Sequence, residues 1–258
     1  MEHTTIRVER PDPQDGSGIP NHLIIWLDKF IGKANEYYLL KRAFFMTTDP
    51  TTGYVQDLKQ EDIDHSIRLN EAISVRLDGI QFMLRAFDTV DNCFEAIENN
   101  FDKRLFIITS GSKGRILLPA LTTHFQEKIK QNYPVYIFCG NMNMVQVGDV
   151  VPTNEWVWDF QDYALMFNHE NDLLARMVLN IIDYFYTEGN QLRQAEKLES
   201  ASQHYRWAKI MLQRRVTMSP KVALDDREKE LNHLIDSIDQ HLSQRNNDKK
   251  DRAGEPCA

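Results

Sequence analysis

Five short apolar runs, HLIIWLD, IQFMLRAF, RLFIITSG, PVYIFCGN and ALMFNHE, recur from residue 22 to residue 170, and amphipathic segments separate them. Each run is too short for a buried helix, is rich in Ile, Val, Phe and Leu, and is bounded by Asp, Gly, Asn or Pro, which predicts buried strands. The intervening segments have the helical period instead. NEYYLLKRAFF (35–45) carries Tyr38, Leu39, Phe44 and Phe45, and DNCFEAIENN carries Cys93, Phe94 and Ile97. GRILLPALTTHFQEKIKQN is expected to bury Ile116, Leu117, Leu121 and Phe125, with Pro119 tolerated early in the helix. NDLLARMVLNIIDYF stacks Leu173, Leu174, Met177, Ile181 and Phe185 on one face, with Asn171 or Asp172 as its cap. Strand alternating with helix forces crossover connections. The expected fold is therefore α/β, a five-stranded doubly wound parallel sheet of flavodoxin or receiver type, with a C-terminal helical extension.

The punctuation of the chain divides it further. Pro, Asp, Gly and Ser in residues 1–20 predict a disordered arm, and 21–187 is the α/β domain. Asp-Pro and Thr-Gly signals with weak periodicity make 47–77 an insertion, partly helical, and the segment around Trp156 is expected to hold a short helix before the fifth strand. Residues 188–246 read as helices, the last with Leu224, Leu231, Ile235, Ile238 and Leu242 near heptad spacing. The polar residues 247–258 are expected to form a disordered tail.

Charge and cysteine usage narrow the partners. The formal net charge of −8 provides no basic surplus for a nucleic-acid backbone or an anionic membrane surface. Cys93, Cys139 and Cys257 show neither an even count nor paired spacing, which fits a reducing cytoplasm, and no apolar run reaches the length of a membrane span. The eight histidines form no metal-binding spacing, so neither metal nor cofactor is expected.

In an open parallel sheet, ligands gather beyond the carboxyl ends of the strands. Asp28, the Ser110, Gly111, Ser112, Lys113, Gly114, Arg115 segment and Asn141 all fall there. Small residues ahead of a helix N-terminus, with Lys113 and Arg115 adding charge, suit a phosphate-bearing small molecule. The same segment is also what a tight strand-to-helix connection requires, and it matches no complete phosphate-loop motif. Cys139 and His169, at the ends of neighbouring strands, form the alternative of a cysteine hydrolase pair. Trp156 and Trp158 either pack a loop on the sheet edge or offer a surface to a partner.

Four resemblances bear on these residues. The order ending in FDT and DNCFEAIE is similar to a response-regulator receiver domain over Asn21 to Thr187. Asp28 matches that family's first acidic position, whereas Thr109 and Ser110 replace the phosphoacceptor, Cys139 and Gly140 the hydroxyl residue, and Phe167 and Asn168 the lysine. ITSGSKG followed by YIFCGN resembles caspase-like hydrolases, with Ser112 in the place of the histidine. Residues 182–215 resemble one tetratricopeptide repeat through Phe185, Gly189, Ala201, Tyr205 and Ala208. LIIWLD, FIITSGSKGR, YIFCGN, FNHENDLLARM and HYRWAK together resemble an N-terminal domain of multidomain invertebrate signalling proteins, in which such repeats or an arginine-specific ADP-ribosyltransferase follow. That last resemblance implies a noncatalytic adaptor acting through a protein partner. The transferase itself is not expected here, because the lone Glu-x-Glu, Glu228 to Glu230, lies in a charged helix. A hydrolase using Cys139 and His169 and a phosphate-ligand sensor using Ser110 to Arg115 are the alternatives.

Overall fold

The computed structural model describes residues 22–31, 36, 37, 40, 41, 43, 46–48, 55–57, 69, 70, 72–77, 80–131, 135–139, 155–218 and 225–253. The arm over 1–20, the residues Tyr38, Leu39, Phe44, Phe45, Gly140, Asn141 and Leu224, and the last residues of the expected tail lie outside them. Two compact units divide the described chain, one ending at Met177 and the other beginning at Val178.

In the first unit, β1 (His22–Leu27) is the middle of a six-stranded sheet and is buried at all six positions, as a strand covered on both faces must be. It pairs in parallel with β5 (Ile80–Phe87) on one side and with β6 (Arg104–Ser110) on the other. β7 (Val135–Phe138) and β8 (Ala164–Phe167) extend the parallel sheet beyond β6. Five parallel strands in the succession β5, β1, β6, β7, β8 give a doubly wound sheet of flavodoxin-like order.

Within the segment expected to be a partly helical insertion, the described residues include three strands, and residues 49–54 and 58–68 lie outside the described residues. The strands are β2 (Met46–Thr48), β3 (Val55–Asp57) and β4 (Ala72–Leu77). β2 and β3 form a separate antiparallel pair, and β4 runs antiparallel to β5 at the sheet edge, with Leu77 facing Ile80. Two residues, Asp-Gly, stand between β4 and β5 in the sequence, a short-range pairing signal.

One face of the sheet receives α1 (Val90–Glu98) and α2 (Gly111–Gln131). Leu23, Ile25, Leu27, Leu105, Ile107 and Ile137 meet Cys93, Ile97, Leu117, Leu118 and Leu121 there. Ile116, expected inside, is 61% exposed, because Leu118 takes its place facing the sheet. The helix kinks at Phe125 (φ −137°, ψ 25°), whose ring lies 4.3 Å from Phe101 and 5.4 Å from Phe94. Hydroxyls of Thr122 and Thr123 donate back to the carbonyls of Leu118 and Pro119 just before this point. A 3-10 turn, Glu155–Phe160, is the short helix expected near Trp156, and Trp156, Val157 and Phe160 pack on this core.

α3 (Glu170–Gln194) starts before the expected cap, with the Leu173 N–H donating to the His169 carbonyl at 3.2 Å. In the second unit, the part of α3 from Val178 is followed by α4 (Leu198–Met218) and α5 (Asp225–Ala253). Phe185, Ala201, Tyr205 and Ala208 are buried, and a Cβ placed on Gly189 would come within 2.7 Å of the Tyr205 ring. Small residues therefore let the two helices of the hairpin close on a large ring. The turn between them places Glu196 at φ 58°. Leu231, Ile235 and Ile238 of α5 are buried, Ser202 donates to Asp239 at 3.1 Å, and Arg206 pairs with the same carboxylate. The expected tail is shorter than its polarity suggested. α5 runs on to Ala253, since Lys and Arg are good helix formers without an apolar stripe.

Candidate functional site

The carboxyl edge of the parallel sheet brings together Asp28, Tyr37, Phe138, His169 and Glu170. Asp28, only 2% exposed, follows β1, and its N–H donates to the Phe87 carbonyl at 2.9 Å. Its Oδ1 accepts from the Phe30 N–H at 2.6 Å, so the carboxylate folds the chain back as it leaves the strand. The Tyr37 side chain forms a second hydrogen bond to Asp28. Its ring stands edge-on to Trp26 at 5.4 Å and to Phe138 at 5.6 Å.

Tyr37 takes a left-handed backbone conformation, φ 56°, that costs a bulky residue about 1–3 kcal/mol. Two ring contacts and a buried hydrogen bond hold it there. Burial pushes the Tyr37 hydroxyl well above its ordinary range, and the charge and hydrogen bond of Asp28, then Glu36 and Glu170, push it further. The hydroxyl therefore keeps its proton and donates a hydrogen bond to Asp28.

Glu170, first residue of α3, accepts the Leu40 N–H at 2.9 Å, and the Lys41 N–H donates to the Tyr37 carbonyl at 2.8 Å. Lys41 itself is 2% exposed in the same helical stretch. A cleft of about 400 Å³ opens here, lined by Phe138, Asn168, His169, Glu170, Asn171 and Asp172. Both carboxylates deepest in this edge, Asp28 and Glu170, are engaged by backbone N–H groups. They fasten the segment after β1 to the sheet and to the start of α3.

The other expected residues are placed as follows. Ser110 ends β6 and Gly111 is already helical, so the anticipated loop is a direct strand-to-helix junction. Ser110 and Ser112 hydroxyls lie 3.4 Å apart, Lys113 is half-buried, and Ser112 and Arg115 are exposed. A Cβ on Gly114 would stand 3.0 Å from Thr109 Cγ2 and 3.4 Å from the Trp156 ring, so this glycine permits close packing of helix, strand and turn. Cys139 is half-buried, with its N–H donating to the Phe167 carbonyl at 2.8 Å. His169 is exposed on the cleft rim. Asn141 lies outside the described residues.

Sequence reasoning passed over Tyr37, Phe138 and Glu170. Tyr37 lay outside the apolar positions read in residues 35–45, Phe138 was one residue of the run PVYIFCGN, and Glu170 carried a signal only as the acid preceding the expected cap. Among the described residues, no group of three or more His, Cys, Asp or Glu is placed to hold a metal ion, and no helix is long and apolar enough to cross a membrane.

The Trp pair divides. Trp156 is half-buried against the α1 and α2 core, whereas Trp158 is 73% exposed two residues along the same turn. Below the turn, the Gln126 side chain donates to the Tyr163 hydroxyl at 2.9 Å. Fold and strand edge define a doubly wound α/β domain of flavodoxin-like order. Comparison of the chain with protein families, curated proteins and solved structures found no match.

Proposed function

We propose that this chain is a noncatalytic adaptor domain that binds a protein partner within a longer multidomain signalling protein, as its resemblance to receiver-like N-terminal domains implies. The observation that supports the reading best is Trp158, a large apolar side chain 73% exposed on a turn that Trp156 anchors. Exposed aromatics of this kind are enriched at protein interfaces, where a rigid ring buries much area at little entropic cost. The strand edge adds support of a different sort. Asp28 and Glu170 each accept a backbone N–H, and Ser110 sits where a receiver would carry its phosphoacceptor.

The test replaces Trp158 with a photo-crosslinking phenylalanine analogue in cells and uses exposed Glu127 on α2 as the control position. Discrete protein adducts from position 158 and none from 127 are expected, together with an unchanged intact mass after acetyl phosphate treatment. Absence of adducts at 158, or an acid-labile phosphoryl adduct, refutes the reading.

A further inference from the structure

From Gln131 to Ala175 the sequence contains no Lys or Arg, although the whole chain has 30, and it contains six carboxylates. Three of these, Glu155, Asp159 and Asp162, belong to the turn that carries Trp158 or to the residues leading from it into β8. Asp159 and Asp162 are exposed, as is Gln161 between them. An exposed indole with carboxylates one and four residues further along is chemically selective. It presents a negative π-face and two charge acceptors, and no cation of its own segment neutralises them.

We propose that Trp158, Asp159 and Asp162 form the docking surface for an arginine-bearing segment of a partner protein. The proposal rests on the protein-binding reading above and names the chemistry of the partner. A guanidinium stacks flat on an indole and donates in a fork to carboxylates, which ammonium groups do less well. An acidic or purely apolar partner would instead bury Asp159 and Asp162 without counter-charge, at a cost that excludes it. The turn is suited to the task because its other face is fixed: Trp156 packs on the core beside Gly114, so stacking on Trp158 orders little that is not already ordered.

The experiment measures fluorescence anisotropy of labelled peptides on the full chain at 50 and 300 mM NaCl. The probes are an Arg-Gly repeat, its Lys-Gly counterpart and its Glu-Gly counterpart. The Arg peptide should bind best, the Lys peptide more weakly and the Glu peptide not at all, with affinity falling as salt rises. Trp158→Ala should weaken Arg-peptide binding about tenfold, and Asp159→Asn with Asp162→Asn should weaken it and remove most of the salt dependence. Thermal melts of these exposed-site variants should match the wild type. Equal binding of Arg and Lys peptides, or binding unaffected by either set of variants, overturns the proposal. If position 158 crosslinks a protein whose capture the Arg peptide does not compete, the partner chemistry is wrong while the adaptor reading stands. If the peptide binds but no crosslink forms, the adaptor reading is the one that fails.

Discussion

Replacing Gly189 with alanine should destabilise the helical unit, although in most helices the same change stabilises. In an unobstructed helix interior, alanine is better than glycine by about 1 kcal/mol. Here the new methyl would sit 2.7, 2.9 and 3.1 Å from three carbons of the Tyr205 ring, against an ordinary contact of about 3.5–4 Å. The ring has to retreat, and its surroundings resist. Tyr205 is fully buried, its hydroxyl donates to Asn190 Oδ1 at 2.7 Å, and its ring meets Tyr186 at 6.1 Å. A shift of the ring loosens that hydrogen bond, worth about 1 kcal/mol, and adds overpacking strain of about 1–3 kcal/mol. After subtracting the helix-propensity gain, the expected net loss is about 1–3 kcal/mol. With a urea slope of about 2 kcal/mol per molar, the midpoint should fall by about 0.5–1.5 M. The assay is urea unfolding followed by far-ultraviolet circular dichroism, with Gly189→Ala/Tyr205→Leu completing a double-mutant cycle. A midpoint equal to or above wild type in the single variant, or no coupling between the two sites, refutes the close-packing argument.

Other outcomes can be checked with less material. Tyr37→Phe keeps the ring between Trp26 and Phe138 but removes the bond to Asp28, so it should cost about 1 kcal/mol in urea unfolding. Because the folded hydroxyl is held above its ordinary value of 10.0, wild-type stability from this group is constant below about pH 10 and is lost as pH rises beyond it; Tyr37→Phe should flatten that alkaline decline. His204 is pushed below 6.5 chiefly by burial, opposed by its hydrogen bond to the Ser200 carbonyl and the charge of Glu188. Its contribution is therefore present above pH 6.5 and lost as pH falls, and His204→Gln should reduce the drop in urea midpoint between pH 7 and pH 5. Burial pushes the Cys93 thiol up to about 12 against a smaller opposing effect of Arg85, so iodoacetamide at pH 8 should leave Cys93 unlabelled until urea unfolds the chain, as read by peptide mass mapping.

The parallel strands were legible because each is a continuous apolar run with a helical pattern on either side, a pattern that few other folds produce. β4 was not. AISVRL alternates only loosely, and its assignment depends on a partner strand and on the Asp78-Gly79 dipeptide that follows it. The helical hairpin was readable from five residues whose sizes alternate, since Gly189 and Tyr205 make sense only as a pair. The edge site was hidden for a related reason. Tyr37 acquires its role from Trp26 on β1, Asp28 just after it and Phe138 on β7, far along the chain, and nothing local marks a tyrosine that will adopt a left-handed backbone. Trp156 and Trp158 have the same side chain two positions apart, and only their opposite burial separates a packing residue from a surface one.

The central place of β1 also sets an order of events during synthesis. Leu23 lies between Met83 on one side and Leu105 on the other, and the nearer of these is sixty residues further along the chain. At about 5–20 residues per second, the ribosome takes about 3–12 s to supply that first neighbour. Throughout this interval HLIIWL, buried at every position in the finished domain, has neither of its two partner strands to pair with. The middle of the sheet is thus the first strand made and must wait for both neighbours. A nascent chain that stalls before β5 presents a sticky six-residue segment, the kind of sequence that chaperones bind and that other unfinished chains join.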